Sequence, residues 1–273
     1  MNHKFELVEA CVNHAHFLKH TLPLNSRKFD NVIIVTTPTD FETQKVALEN
    51  KAEVVTTDLF YKYGAPFNRG LAINEGLRAS KYNDWIIHSD SDVIFPKGYE
   101  EVFSSANPHI NKEILYGSKR VEFKDREEYI RAVQEIALFR QPSVVGKFID
   151  ESSHIGCGFF QMFNLQSAVV KHLKNREFTF TPGFQAHLKA QKFGEFTSIA
   201  KASGNLYPSY PTCGGSDVMF RSQWNPSPSV DGATGEVVGR TEKTPACTIV
   251  EIAIPVWHLG KDRDHAGKRI FKF

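Results

Sequence analysis

The stretch WIIHSDSDVIFP, from Trp85 to Pro96, predicts a buried strand that ends in two carboxylates. The apolar run at its start is typical of a strand buried on both faces. Asp90 and Asp92 lie two residues apart, and such residues point the same way on an extended chain. Paired carboxylates favour a bound cation, and Mg²⁺ or Mn²⁺ take carboxylate and phosphate oxygens as ligands. The stretch therefore indicates a metal–diphosphate site; a polar loop after a strand is the alternative interpretation.

Strand and helix patterns alternate before this stretch. Strands are predicted over residues 5–12, 31–36 and 52–56, and helices over residues 41–50, with Asp40 as N-cap, and 68–80. This alternation predicts an α/β protein with a parallel sheet and helices on both faces. Ligands of such sheets lie beyond the carboxyl ends of the strands. Asn13, Asp40 and Asp90 each follow a predicted strand, so we expect them to line one crevice.

The pattern changes after Pro96. Helices are predicted over residues 125–139, 165–174 and 217–223, and strands over residues 156–163 and 247–257. Residues 225–244 are rich in Gly, Pro and mixed charge and predict a loop. We therefore expect one domain with a nucleotide-binding half (1–100), an acceptor-binding and catalytic half (101–260) and a basic tail (261–273).

Composition excludes several classes of protein. The 273 residues are 41% hydrophobic and 23% charged with a net charge of +2, which is ordinary for a globular domain with a core. The four cysteines lie far apart, so neither a zinc site nor a disulfide framework is predicted. Glu6 and Glu9 stand where a signal peptide needs apolar residues, and no stretch is apolar enough to span a membrane. We expect a cytoplasmic protein.

Residues 171–201 interleave lysines and an arginine with five phenylalanines. This composition suits a phosphate backbone with unstacked bases, a sugar platform, or simply a solvated basic face.

Five motifs stand in a fixed order along the chain: APFNRGLAINEGL (65–77), HSDSDVIFP (88–96), GCGFFQ (156–161), GGSD (214–217) and WHLG (257–260). Together they resemble the metal-dependent GT-A glycosyltransferases, in particular the small family 2-like enzymes and the galactosyltransferase-related branch. The resemblance covers residues 5–260 and implies a GT-A fold, a Rossmann-like nucleotide-binding half with a mixed central sheet and a smaller acceptor-binding half.

The resemblance implies a role for each matching residue. Asp92 would bind Mn²⁺ or Mg²⁺, Asp90 would face the ribose or the metal, and His258 would complete the metal site, where a neutral imidazole suits such ions. The remaining donor-site positions implied by the resemblance are Asn13, Asp40, Asn68, Arg69 (a candidate for phosphate), Asn74 and Gly158.

Asp217 matches the general base of inverting members. Those members usually have Gly-Gly-Glu-Asp, whereas this chain has Gly-Gly-Ser-Asp. The resemblance implies transfer of a hexose or pentose from a nucleotide sugar, most often a UDP-sugar, to an acceptor hydroxyl. The acceptor is a saccharide or, as for some bacteriophage DNA-modifying enzymes, a hydroxylated base in DNA.

Two other functions fit parts of the pattern. A metal-dependent phosphohydrolase also uses Asp-x-Asp after a strand, but usually after the first strand and with Thr or Val where this chain has Ile94. A non-catalytic module that binds a nucleotide sugar or a glycan predicts that Asp217 is dispensable.

Overall fold

The structure is a computed structural model of the chain. It describes residues 3–104, 107–123, 127–128, 130–131, 134, 147–149, 159–174, 205–207, 220–221, 224, 229–230, 237–238 and 248–259. The strands are β1 (Phe5–Ala10), β2 (Asn31–Thr36), β3 (Glu53–Thr56), β4 (Trp85–Asp90), β5 (Val93–Ile94), β6 (Ile114–Glu122), β7 (Lys147–Ile149), β8 (Phe160–Asn164), β9 (Ser229–Val230), β10 (Val237–Val238) and β11 (Thr248–His258). The α-helices are α1 (Ala15–Asn25), α2 (Phe41–Glu49), α3 (Arg69–Arg78), α4 (Tyr99–Val102) and α5 (Ala168–Lys174). Short 3₁₀ turns cover Ser26–Lys28 and Leu59–Gly64.

The first half forms a parallel sheet with the order β3-β2-β1-β4. Its strands are almost continuous apolar runs because helices cover both faces, which removes the alternation of a half-exposed strand. One face packs against α1 and α2 through a core that includes Leu18, Leu22 and Ala47. The other face packs against α3. The predicted α/β fold, with a Rossmann-like first half, is confirmed.

The second half extends the same sheet with mixed directions, as the GT-A prediction requires. From β4 the order continues through β8, β6 and β11 to β5, with β8 antiparallel to both β4 and β6. Only Ser91 and Asp92 separate β4 from β5 in the chain, yet three strands lie between them in the sheet. The sheet must therefore curl until its last strands return to the end of β4.

Gly76 sets the distance between α3 and the sheet. A Cβ atom at this position would meet Val8 Cγ1 at 2.6 Å and Val35 Cγ2 at 2.7 Å. Real Cβ contacts are not so short, so only glycine lets the helix approach this closely. Gly76 thereby holds the last turns of α3 against β1 and β2.

Several predicted elements agree with the structure, one prediction is contradicted in part, and one long strand was not predicted. Residues 127–128, 130–131 and 134 are helical, as predicted for 125–139, and β8, α5 and β11 lie where strand, helix and strand were expected. The sequence did not predict β6, because Gly117, Lys119 and Arg120 interrupt its apolar pattern. The loop predicted over 225–244 is wrong at residues 229–230 and 237–238, which form an antiparallel pair.

Some predictions lie outside the described residues. They include Gly158, Asp217, most of the basic–aromatic segment 171–201, and the tail 261–273. Cys11 is described and is a buried free thiol, and burial raises its pKa to about 12. In the described part of the chain, no helix has the length and apolar character needed to cross a membrane. The division into two functional halves stays a prediction.

Candidate metal centre

The loop after β4 is held from below by α1. Thr21 Oγ1 donates to the carbonyl of Ser91 at 2.7 Å, and Asn25 Nδ2 donates to the carbonyl of Val93 at 2.8 Å. Asn25 Oδ1 also accepts from the backbone of Phe95 at 3.1 Å. Both helix residues are fully buried. These bonds satisfy buried backbone groups on both sides of Asp92 and fix where its side chain starts.

His258 reaches the same place through strand pairing. β5 and β11 are antiparallel, with His258 opposite Val93 and Trp257 opposite Ile94. The amide of Leu259 donates to the carbonyl of Asp92 at 2.9 Å. Backbone pairing therefore joins the segment at Asp92 and Val93 to the segment at His258 and Leu259, although the two are far apart in sequence.

The structure brings Asp90, Asp92 and His258 into one buried cluster, and each offers one ligand atom within 4.8 Å of the others. Nε2 of His258 lies 3.6 Å from Oδ2 of Asp92 and 4.0 Å from Oδ2 of Asp90. An ion bound at about 2.1 Å in octahedral geometry has ligand atoms roughly 3.0 Å apart when adjacent and roughly 4.2 Å apart when opposite. The spacing and the donor set, two carboxylates and an imidazole, both fit Mn²⁺ or a similar divalent ion.

Arg69 occupies the other oxygen of Asp90. Its Nη2 lies 2.6 Å from Asp90 Oδ1, and both side chains are less than one-tenth exposed. A buried guanidinium requires a counter-charge, and the pairing leaves Oδ2 of Asp90 facing His258. The residue predicted to contact phosphate is thus engaged with a predicted metal ligand.

Glu9, on β1, lies near Asp90 and Asp92 and differs from them in its hydrogen bonding. It is fully buried, and neither carboxylate oxygen has a hydrogen-bond partner. Burial, then the charges of Asp90 and Asp92, raise its pKa well above the ordinary value, against a smaller opposing effect of Arg69. Burial and the two nearby carboxylates therefore favour the uncharged form of Glu9.

Asn13 and Asp40 lie at the same carboxyl edge of the sheet, after β1 and β2. Asp40 caps α2, as predicted: Oδ1 accepts from the amide of Thr43 at 3.1 Å. Its Oδ2 accepts from the amide of Asn13 at 2.6 Å and from Thr36 Oγ1 at 3.2 Å. Asn13 is exposed, with a left-handed backbone (φ 57°). Asp40 thus ties two loops of the edge together, and its role in nucleotide binding stays a prediction.

Asn68 and Asn74 both make structural contacts on α3. Asn68 is the buried N-cap, accepting from the amide of Leu71 at 3.3 Å. Asn74 lies further along the helix and holds residues 206–207: its Oδ1 accepts from the amides of Leu206 and Tyr207, and its Nδ2 donates to the carbonyl of Tyr207. The predicted donor-site roles of both asparagines are not tested by these contacts.

Four residues of the site were not found from the sequence: Thr21, Asn25, His88 and Glu9. Glu9 carried a signal, a carboxylate inside an apolar strand, but the sequence does not say what faces it. His88 lies two residues before Asp90, and its hydrogen-bond partners come from other elements. Thr21 and Asn25 occupy one side of α1, four residues apart, where they resemble ordinary polar helix positions.

Fold and cluster together define an α/β protein with a candidate divalent-metal centre at the carboxyl edge of a parallel sheet. No protein-family model matches the chain, and no curated protein matches it. Solved structures with a similar course of the chain include the following three.

The first is glucosyl-3-phosphoglycerate synthase from Mycobacterium tuberculosis in complex with phosphoglyceric acid, with 15% identity and a TM-score of 0.38, covering 71% of this chain and 67% of that one. The second is a mannosyltransferase from Pyrobaculum calidifontis in complex with GDP-Man and Mn²⁺, with 12% identity and a TM-score of 0.46, covering 97% of this chain and 59% of that one. The third is mannosyl-3-phosphoglycerate synthase from Rubrobacter xylanophilus, with 14% identity and a TM-score of 0.39, covering 71% of this chain and 64% of that one. The chain thus spans about two thirds or less of their lengths. A similarity of this size says nothing about the reaction of this chain.

Proposed function

We propose that this protein is a metal-dependent glycosyltransferase that moves a sugar from a nucleotide sugar to an acceptor hydroxyl. The observation that carries the proposal is the buried Asp90–Asp92–His258 cluster at the carboxyl edge of a parallel sheet. Carboxylates at such an edge, with an imidazole as third donor, suit a divalent ion that also binds substrate phosphates. Asp90, Asp92 and His258 would hold the ion.

The chain's own residues would contribute charge and position. A bound divalent ion supplies Lewis-acid stabilisation of the departing diphosphate, worth several kcal/mol. Arg69 pairs with Oδ1 of Asp90, and burial favours the uncharged form of Glu9, so Asp90 and Asp92 would supply the negative charge that holds the ion. Burial keeps this charge from being screened by water.

We assign the role of general base to Asp217, on the resemblance of the GGSD motif. A positioned carboxylate that accepts the acceptor's proton contributes about 10²–10⁴-fold in rate. The donor is a UDP-sugar, hexosyl or pentosyl, and the outcome is inversion at the sugar carbon.

The acceptor is a saccharide or a hydroxylated base in DNA. The DNA alternative rests on the basic–aromatic composition of residues 171–201, of which Lys171 and Lys174 are described and exposed on α5. Binding to duplex DNA that weakens steeply with salt would favour DNA, because phosphate contacts release counterions. Binding without salt dependence would favour a saccharide.

The test is nucleotide release from a panel of nucleotide sugars, with and without Mn²⁺, using modified duplex DNA and saccharides as acceptors. We expect Mn²⁺-dependent release that Asp92→Asn abolishes and Asp58→Asn, at an exposed aspartate, preserves. Asp217→Asn should bind donor and Mn²⁺ normally while transfer falls about 10²–10⁴-fold. Release of inorganic phosphate without any acceptor would instead indicate a phosphohydrolase, and donor binding without turnover would indicate a binding module.

A further inference from the structure

The pairing of Arg69 with Asp90 requires support of its own. Arg69 is the first residue of α3, where the helix dipole disfavours a positive charge. A guanidinium has five donors and readily forms a two-bond pair with a carboxylate. A firm position of Arg69 would in turn fix the carboxylate of Asp90.

His88 supplies that support. Its Nε2 lies 2.9 Å from Arg69 Nη2, the same nitrogen that contacts Asp90, and its Nδ1 lies 3.1 Å from the carbonyl oxygen of Val8. A carbonyl only accepts, so Nδ1 carries the hydrogen and donates; a guanidinium only donates, so Nε2 accepts. The two partners together assign one uncharged tautomer of the ring.

A contact with a second ring adds to the two hydrogen bonds of His88. It is fully buried and meets the ring of Tyr207 edge to face, with centroids 5.3 Å apart. Tyr207 is held in turn: its hydroxyl donates to Gln161 Oε1 at 2.5 Å, and its backbone is bound by Asn74. Gln161 lies opposite His88 on β8. The imidazole is therefore a rigid acceptor at a defined point beside Arg69.

We propose that His88 is a positioning residue of the metal centre: it accepts from Arg69 Nη2, the nitrogen that contacts Oδ1 of Asp90, and so fixes the carboxylate that would bind the ion. The proposal rests on the proposed metal-dependent function. Without the acceptor at His88, Arg69 Nη2 would lose one of its fixed partners, and the carboxylate of Asp90 would be held less firmly for the ion.

The test measures Mn²⁺ binding to the full chain, by the loss of the free-ion electron paramagnetic resonance signal on titration. His88→Phe fills the space but removes the acceptor, and we expect Mn²⁺ affinity to fall about 10–100-fold, the usual effect of removing a group that orients a metal ligand. His88→Gln places an amide oxygen near the position of Nε2 and should bind within about threefold of the unaltered protein, on the same scale. His109→Phe, the same change at an exposed histidine, should have no effect.

Each result decides the matter. Equal Mn²⁺ affinity of His88→Phe and the unaltered protein overturns the role of His88 while the proposed function stands. Failure of Mn²⁺ to bind even the unaltered protein overturns both. Should His88→Phe not fold, long-range ¹⁵N–¹H correlation spectra of the unaltered protein give the tautomer, with the His88→Gln spectrum identifying the signal. A hydrogen on Nε2 overturns the proposal, and a hydrogen on Nδ1 alone, together with retained affinity of His88→Gln, supports it.

Discussion

Two buried glutamates of β1 show how the opposite ends of the sheet differ. Glu6, near the amino end, accepts from Asn31 Nδ2 and the Lys81 amide, both at 3.0 Å, from the Tyr82 amide at 3.1 Å, and from the hydroxyl of Ser80. Glu9, near the carboxyl end, has no hydrogen bond to either carboxylate oxygen. Both are fully buried. The first carboxylate is bound within the fold, whereas the second lies beside the candidate metal centre.

The largest effect on Mn²⁺ affinity should come from replacing a predicted metal ligand at the carboxyl end of the sheet. Asp92→Asn removes a buried charged donor, and since even groups behind a ligand contribute 10–100-fold, we expect Mn²⁺ affinity to fall by about 1000-fold or more, about 4 kcal/mol. Titration of Mn²⁺ measures it. Thermal unfolding of the metal-free protein should show no loss of stability, because a buried carboxylate close to another is replaced by an amide. A large loss of stability would mean that Asp92 is structural, like Glu6.

At the amino end of the sheet, a substitution should lower stability and leave Mn²⁺ affinity unchanged. Glu6→Ala leaves the Asn31 amide and two backbone N–H groups without an acceptor, and we expect a loss of about 3 kcal/mol in the free energy of unfolding. Urea denaturation measures it, with Glu49→Ala, at an exposed helix position, as the control. Mn²⁺ affinity of the folded Glu6→Ala protein should not change, and a fall of tenfold or more would contradict the separation of the two ends.

Asp40 tests whether a carboxylate at the carboxyl end of the sheet also stabilises the fold, since it accepts three hydrogen bonds there. Asp40→Ala should lower the free energy of unfolding by about 2 kcal/mol through the lost cap of α2 and the freed loop of Asn13. Urea denaturation beside Asp58→Ala, an N-cap without a side-chain bond, isolates the effect of the capping bond. A loss below about 0.5 kcal/mol would show that water replaces these bonds.

Glu9 should give the smallest effect and an opposite sign. Glu9→Met replaces a buried carboxyl that has no hydrogen bonds with an apolar chain of similar length, so we expect a gain of about 1 kcal/mol in the metal-free protein at neutral pH. The pKa of Glu9 is raised in the folded state, so its contribution is most favourable below the ordinary value of 4.5 and is lost as pH rises through the folded pKa. The gain should therefore be smallest below about pH 4.5 and grow as the pH rises towards the folded pKa. A gain independent of pH would contradict the raised pKa.

The sequence predicted the first half of the fold well because burial there is almost complete. In β2 (NVIIVT) and β4 (WIIHSD) apolar runs are enough to identify a strand, and Asp40 is recognisable as a cap. β6 was missed for the opposite reason: Lys119 and Arg120 are half-buried, and Lys119 Nζ lies 3.7 Å from a carboxylate oxygen of Glu251 on β11. Its identity as a strand depends on a neighbour that the local pattern does not contain.

The site was only partly predictable for a related reason. Asp90 and Asp92 are local to one stretch, and His258 entered through resemblance alone. Glu6 and Glu9 are both buried acids in the same strand, so the local sequence does not distinguish them. They differ because residues 80–82 donate hydrogen bonds to Glu6, whereas Glu9 lies near Asp90 and Asp92. His88 would have needed knowledge of Arg69 and Val8 as its neighbours.

The curl of the sheet has a consequence for biosynthesis. β5 pairs with β11, among the last described residues to leave a ribosome, whereas β1 to β4 emerge early. A nascent chain can complete its parallel sheet while Asp92 still lacks His258, and closing so long a loop carries an entropic cost that only the finished strand offsets. Metal capture would thus wait for β11, so that a chain terminated before residue 258 would retain two acidic side chains but no complete coordination site.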